Sequence, residues 1–301
     1  MSTHTPAHAA AAPTGPASVR TAVKTAPTGP APRPAGPRVQ GRQTVLRSIR
    51  AEWIKIWTLR STWITSFIAI ALTVLFGVGV AVGYAHTAGK EAEAAHMITS
   101  GTSFGQIAVA VLGALIITGE YASGQIRSSL AATPRRGRLF AAKALVISSW
   151  AFVVGALSML LTWTISTPFM NGHHIALNDW HYLGYFWGVG LSYAGISFIA
   201  LGLGYILRST AGTITAIMTL LYVIDIPLTV MSDRWDWAIT LQGLEPTITI
   251  LAIQDPFAIR QSWGYPGTVA FLEQWQALLV FSAWVLLPLT AGWILFSKRD
   301  A

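Results

Sequence analysis

The sequence predicts an all-α integral membrane protein with six transmembrane helices, and its composition and apolar run lengths support this prediction. Of the 301 residues, 53% are hydrophobic and only 11% are charged, a balance that is rare in soluble domains. A helix needs about 20 mostly apolar residues to cross the bilayer core. Six stretches meet this requirement: residues 61–84, 97–119, 144–167, 183–207, 211–231 and 276–296. Because they are continuously apolar and do not alternate, helices are favoured over membrane strands.

The segment before the first span has a different composition. Residues 1–42 are rich in Ala, Pro, Thr and Gly, with scattered basic residues. Such a segment buries too little apolar surface to offset the entropy lost on ordering, so we expect a disordered cytoplasmic tail. It contains no apolar core of a signal peptide, and the first span is therefore expected to direct membrane insertion.

Basic residues are distributed unevenly between the two sides of the predicted membrane domain. All but three of the 20 Lys and Arg fall on one side, the exceptions being Lys90, Arg234 and Arg260. Basic segments near span ends stay in the cytoplasm, so we expect a multi-pass protein of the cell membrane with both termini cytoplasmic. The net charge of +8 is then explained by a face beside anionic lipid, and no nucleic-acid partner is expected.

Residues 43–60 have the pattern of an amphipathic helix that lies in the membrane–water interface. Apolar side chains recur at intervals of three and four residues, and the cations Arg47 and Lys55 fall off that face. The membrane-interface residues of this helix are predicted to be Trp53, Lys55, Trp57 and Arg60. Two roles remain open at this stage, a simple anchor for the first span and a docking element for a partner.

A short charged segment separates the second and third spans. Arg135, Arg136 and Arg138 are explained by membrane orientation alone. Glu120 is not, because a carboxylate at the end of an apolar helix is costly unless it meets water or a cation. We therefore expect Glu120 to make a specific contact.

Two segments resemble the membrane subunit of type-2 ATP-binding-cassette (ABC) transporters: Glu52–Lys55 with Thr58–Trp63, and Gly119–Arg127. The resemblance implies a six-span permease domain over residues 61–301, with a coupling helix that seats in a groove of a cytoplasmic ABC ATPase. It further implies that a second permease copy, or a homologous permease, is a partner and that the substrate is exported. Carried over to this chain, the ATPase-coupling residues are Glu120, Tyr121, Ser123, Gly124, Ile126 and Arg127.

The chain contains no Gly-rich phosphate loop that ends in Gly-Lys-Ser or Gly-Lys-Thr. Its Gly89-Lys90 pair is followed by Glu91. We therefore expect a transport subunit and not an enzyme, with no cofactor of its own and with ATP and Mg bound by the partner ATPase. Two alternatives of other classes remain open, an ion-coupled secondary transporter and an intramembrane enzyme.

Asp225 is the one acidic residue well inside an apolar run, which makes it a candidate for the translocation path. Pro227 follows closely and indicates a helix break, after which Asp225 would cap the next turn. We favour the cap. The segment 233–273 is too polar to span and is expected to form short helices in the outer leaflet.

Two further patterns are considered. His173, His174 and His181, with Asp179, match no common ligand spacing, so no metal site is expected. Glycine pairs four residues apart are expected to let helices pack closely within the subunit. These pairs are Gly79 with Gly83, Gly101 with Gly105, and Gly184 with Gly188.

Overall fold

The computed structural model describes residues 44–178, 182–255 and 271–299, and within these ranges the regular secondary structure is entirely helical. The predicted tail over residues 1–42 lies outside the described residues. Six helical stretches are long and apolar enough to cross a membrane, which confirms the predicted fold class. They are Arg60–Ala85, Glu91–Ser123, Arg136–Phe169, Leu183–Leu207, Thr210–Ser232 and Gln274–Lys298.

The first helix is short and precedes the spans. Helix α1 (Val45–Thr58) begins at Thr44, whose hydroxyl accepts a hydrogen bond from the backbone N–H of Arg47 at 3.3 Å. It ends at Leu59, where an extended backbone (φ −77°, ψ 120°) turns the chain directly into α2 (Arg60–Ala85). A separate helix thus lies within the segment 43–60, and its place at the membrane–water interface stays a prediction.

The second and third spans are joined by a short helix. A 3₁₀ segment (Glu91–Gly101) leads into α3 (Thr102–Ser123), and α4 (Gln125–Ala132) follows. Gly124 lies between α3 and α4 with φ 70°, a left-handed conformation that glycine adopts without strain. Helix α5 (Arg136–Ser166) then begins several residues before the predicted span.

The second half of the chain contains the remaining spans and two short helices. The order is α6 (Leu183–Leu207), α7 (Thr210–Met218), a π-helical segment (Thr219–Val223), α8 (Asp225–Ser232), α9 (Asp236–Gly243), α10 (Pro246–Ile253) and α11 (Gln274–Lys298). Helices α9 and α10 agree with the prediction that residues 233–273 form short helices, as far as that segment is described.

Helix α6 lies at the centre of the packed helices, against α3, α5 and α11. Its side chains Tyr185, Tyr193 and Tyr205 are fully buried. The hydroxyl of Tyr193 lies 2.6 Å from that of Thr73, which joins α6 to α2 by a hydrogen bond. Buried hydroxyls of this kind require a partner, because an unpaired polar group in an apolar interior is costly.

Close helix packing explains some of the predicted glycine pairs but not all of them. A side chain at Gly101 or Gly105 would overlap Thr73 on α2, and a Cβ at Gly188 would lie 2.6 Å from the Ile253 carbonyl oxygen. These glycines pack within the subunit, as predicted. The prediction is wrong for Gly79 and Gly83, whose Cβ positions meet no described atom within 4 Å.

One end of the bundle gathers several helix termini, and we call it the basic end. The Arg136 guanidinium, at the start of α5, donates to the Phe296 carbonyl at 2.8 Å near the end of α11. The guanidinium of Arg208, which follows α6, lies 4.9 Å from the ring centroid of Tyr121 near the end of α3. The termini of α3, α5, α6 and α11 therefore meet at this end.

The glycine contacts give a matched test of packing. Gly101→Ala is expected to lower the unfolding free energy by about 1–3 kcal/mol, because the added methyl group overlaps the Thr73 backbone. Gly79→Ala places the same methyl group in open space and is expected to leave stability unchanged or slightly raised. Thermal unfolding of the purified variants in detergent, followed by Trp fluorescence, measures the difference. Equal midpoints for the two variants would contradict the packing described.

Candidate functional site

Four charged side chains form a network at the basic end. Lys143 on α5 donates to Glu52 on α1 (Nζ–Oε2 2.8 Å) and to Glu120 on α3 (Nζ–Oε1 2.5 Å). Lys55 on α1 also donates to Oε1 of Glu120. The Lys143 side chain has no exposed surface, and that of Glu120 is 3% exposed. The network therefore joins α1, α3 and α5 through ion pairs that water barely reaches.

The positions of these residues follow from helix periodicity and charge balance. Glu52 and Lys55 are three residues apart, so they share the face of α1 that also buries Ile56. Glu120 sits in the last turn of α3 and Lys143 well inside α5. Two lysines and two glutamates compensate one another, as buried charges must.

Lys55 is the member of the network with the most exposed side chain, at 20%. Burial, together with the nearby charge of Lys143, lowers the pKa of Lys55 to about 8. Below that pH, Lys55 is charged and pairs with Glu120. Above it, Lys55 loses its charge and with it the ion pair to Glu120.

Helix α4 projects from this network at the basic end. Its residue Ile126 is buried, whereas Arg127 and the preceding Ser123 and Gly124 are exposed. Tyr121, at the end of α3, is half-buried beneath the guanidinium of Arg208. The short helix thus presents a polar and basic outer surface and packs on the bundle through Ile126 and the partly buried Leu130.

The six predicted coupling residues differ in exposure: three are exposed, two are buried and Tyr121 is half-buried. Ser123, Gly124 and Arg127 are open to a partner. Glu120 and Ile126 were grouped with them by the resemblance, but their side chains are 2% and 3% exposed. Both side chains are engaged inside the subunit, and the direct ATPase contact that the resemblance implies for Glu120 and Ile126 stays a prediction. The specific contact expected of Glu120 is an internal ion pair.

The predicted interface residues of α1 lie beside a cluster of indole rings. Trp53, Trp57 and Arg60 are exposed. The rings of Trp53, Trp57 and Trp63 each lie 5.3–6.0 Å from that of Trp150 on α5, in edge-to-face geometry. Trp63 also donates its indole N–H to the Trp57 carbonyl at 2.9 Å. These contacts fix the turn between α1 and α2 against α5.

Lys143 and Trp150 are the residues at this end whose roles the sequence did not indicate. The predicted third span begins at residue 144, so Lys143 counts there as a loop cation. In the structure α5 begins at Arg136, which places Lys143 within the helix. The available signal is that Lys143 is a lone cation inside an otherwise apolar run from Leu139 onward.

Asp225 does not cap a helix as expected. The N-cap position of α8 is Ile224, and Asp225 is the first helical residue without a capping hydrogen bond. Its Oδ1 instead accepts from the Gln242 amide at 2.8 Å and the Thr229 hydroxyl at 3.2 Å. The π-helical segment before Asp225 provides the break, and Pro227 falls in the first turn of α8, where backbone N–H groups are unpaired in any helix.

No group of three or more potential ligand residues that could hold a metal ion occurs among the residues that the structure describes. His173 and His174 belong to the described loop after α5. His181 and Asp179, the other two members of the histidine cluster considered in the sequence, lie outside it.

Comparison with known proteins gives one match. A family model described as ABC-2 family transporter protein matches residues 46–301, a range that includes α1 except its first residue, the ion-pair network, α4 and all six spans. No curated protein matches the chain.

The network gives a stability prediction. Lys143→Met is expected to lower the unfolding free energy by about 3 kcal/mol, because Glu52 and Glu120 lose their shared cation while remaining buried. Lys298→Met is the matched control, since Lys298 is exposed near the same end. Denaturant titration in mixed micelles provides the measurement. A Lys143→Met variant as stable as Lys298→Met would show that the network contributes nothing.

The shifted pKa of Lys55 is directly measurable. Lysines can be methylated with ¹³C-formaldehyde and their ¹³C shifts followed against pH, with Lys55→Arg used for assignment. Lys55 is expected to titrate near pH 8, against the ordinary lysine value of 10.5. Lys143→Met should raise that midpoint, because the Lys143 charge helps to lower it. A Lys55 midpoint near 10.5 in the unmodified background would be inconsistent with the buried pair.

Proposed function

Because this chain belongs to the ABC-2 family of transporter proteins, we propose that it is the permease subunit of an exporter driven by a separate cytoplasmic ATPase. The observation that carries the proposal is the network of Lys143, Glu120, Glu52 and Lys55 behind α4. It joins α1, α3 and α5 in the last turn of α3, from which the short exposed helix α4 continues after Gly124. A helix that receives force from a soluble partner needs such a connection.

We propose that the exposed side of α4 is the ATPase contact. Ser123 and Gly124 lie at its start, and Arg127 offers a cation that can pair with an acidic residue of the partner. Ile126, buried on the opposite side, holds α4 against the bundle. The same surface would lie in the cytoplasm, in accordance with the charge-based orientation.

Force on α4 would reach the spans through Glu120. This carboxylate contacts Lys55 on α1 and Lys143 on α5. Separating buried ion pairs is costly, so α1, α3 and α5 would move together as one body. Coupled rigid-body motion of this kind is sufficient to alternate access to a path between two permease subunits.

In this proposal helix α1 has two roles: it binds the membrane–water interface and it holds the ion-pair network together. Its exposed Trp53 and Trp57 suit the membrane–water interface, whereas Glu52 and Lys55 face the network. A second permease copy, or a homologous one, would complete the path. The exposed apolar faces of the outer helices, such as Phe67 and Leu75 on α2, are open to lipid or to that subunit.

The absence of cysteine allows a site-directed test of the ATPase contact. Single Ser123→Cys and Leu279→Cys variants, both at exposed positions, are cross-linked in native membranes with a thiol–amine reagent. Ser123→Cys is expected to capture a cytoplasmic ABC ATPase, and the α11 control is not. Labelling of Ser123→Cys by an impermeant maleimide only from outside the cell would overturn the proposed orientation and coupling.

A charge reversal tests the role of Arg127. Arg127→Glu is expected to reduce the ATPase that copurifies with the permease by about tenfold, equivalent to about 1.4 kcal/mol. Arg135→Glu, an exposed residue of the same loop, serves as the matched control. Quantitative immunoblotting of equal amounts of inserted permease gives the ratio. If Asp225→Asn alone stops transport while Arg127→Glu has no effect, an ion-coupled mechanism is favoured instead.

A further inference from the structure

Helices α1, α2 and α5 enclose an apolar groove. It has a volume of about 400 Å³, and four indole rings form much of its wall, those of Trp53, Trp57, Trp63 and Trp150. Aliphatic side chains of α2 and α5 complete the wall together with Phe67. The volume falls within the range of small-molecule sites, roughly 300–1,000 Å³.

The hydrogen bonds of the groove are made within its own wall. The Trp150 indole N–H donates to the Ser66 hydroxyl at 2.9 Å, and Ser66 supplies the one hydroxyl among the lining residues. The Trp63 indole N–H donates to the Trp57 carbonyl at 2.9 Å. These bonds hold the rings in place and leave an almost entirely apolar surface, which suits a hydrocarbon occupant.

A more open hollow lies next to the groove. It has a volume of about 320 Å³ and shares Trp53 and Trp57 with the groove. Ile54 and Thr58 complete its lining. Two apolar recesses therefore meet at the same pair of indole rings, and together they can receive two hydrocarbon chains side by side.

Cations lie on the helix faces that line the groove. Arg50 precedes Trp53 by three residues on α1, and Arg60 precedes Trp63 by three residues on α2. Residues three apart are neighbours on a helix surface, so each arginine lies about one turn from a lining indole. Both arginines are exposed, and neither forms an ion pair with a residue that the structure describes.

No exposed acid on these helices balances the two arginines. Glu52 is the only acidic residue in α1, α2 and α5, all three of which are described in full. Its side chain is buried and pairs with Lys143. The charge balance around the groove therefore favours an anionic group.

We propose that this site binds an anionic phospholipid of the cytoplasmic leaflet, with its acyl chains against the indole rings and its phosphate beside Arg50 and Arg60. The apolar recesses select hydrocarbon, and the arginines select negative charge. A phospholipid carries both at the depth of an interfacial helix, where Trp rings are favoured. A second copy docked through the same face is disfavoured, because it would add the same arginines and no exposed acid.

The inference rests on the interfacial position proposed for α1 and goes beyond it, because it assigns a specific lipid to the groove. It does not involve the ATPase, since binding requires only this chain. A lipid bound between α1, α2 and α5 would stabilise their packing. Because Glu52 and Lys55 on α1 belong to the ion-pair network, the same lipid would also support that network.

The test uses the full-length chain, purified without an ATPase, and native mass spectrometry with phosphatidylglycerol and phosphatidylcholine of identical acyl chains. Arg50→Gln and Arg60→Gln are each expected to weaken phosphatidylglycerol binding about fivefold, equivalent to about 1 kcal/mol, and to leave phosphatidylcholine binding unchanged. The unmodified chain is therefore expected to prefer phosphatidylglycerol, and the double variant is expected to lose that preference. Arg135→Gln is the matched control, because Arg135 is exposed at the same end and lies outside these helices.

Filling the groove tests the hydrocarbon part of the site separately. Val153→Trp adds bulk to the wall without changing its charge and is expected to abolish the tightest binding step for both lipids. Leu145→Trp is the matched control, since Leu145 is exposed on the same helix and does not line the groove.

Several outcomes would overturn the proposal. They are equal affinity of the unmodified chain for the two lipids, an equal loss in Arg135→Gln, and unchanged binding by Val153→Trp in a folded sample. Competition by glycerol phosphate as strong as by the lipid would assign the arginines to a free anion. Disulfide cross-linking of two copies through Ile54→Cys, unaffected by added lipid, would assign the groove to a second copy. None of these outcomes changes the cross-link expected between Ser123→Cys and the ATPase, so the two proposals can fail separately.

Discussion

The arrangement of the basic end depends on holding two lysines and two glutamates together out of water. Lys143 is enclosed between Glu52 and Glu120, which come from elements far apart in the sequence. Any displacement of one helix relative to the others would leave a buried charge without its partner. Helices α1, α3 and α5 are therefore held in one relative arrangement, and α4, attached through Gly124, takes its position from it.

The six spans and α1 were predictable because run length, hydropathy and helical periodicity are local properties of the chain. The need of Glu120 for a partner was predictable for the same reason. The identity of that partner was not, because Lys143 approaches from another helix and resembles a loop cation in the sequence. The resemblance indicated the segment 119–127, but only the packing separates Arg127, which is exposed, from Ile126, which is buried.

The surroundings of Asp225 show a different limit of sequence-based prediction. Asp225 was recognisable as an isolated acid, but its hydrogen-bond partner Gln242 lies on another helix and could not be identified from the sequence. The π-helical segment before Asp225 follows from packing and leaves no clear sequence signal, so the expected cap was wrong.

The order of charges along the chain bears on how the protein is made. Glu52 and Glu120 are synthesised before Lys143, and domains form from the N-terminal side during synthesis. When α5 enters the bilayer, both residues whose carboxylates pair with its buried lysine have already been synthesised. A helix that contains an ammonium group is by itself a poor membrane segment. It can insert more easily when the carboxylates of Glu52 and Glu120 are available to pair with that group. Biogenesis would be more difficult if the same charges occurred in the reverse order.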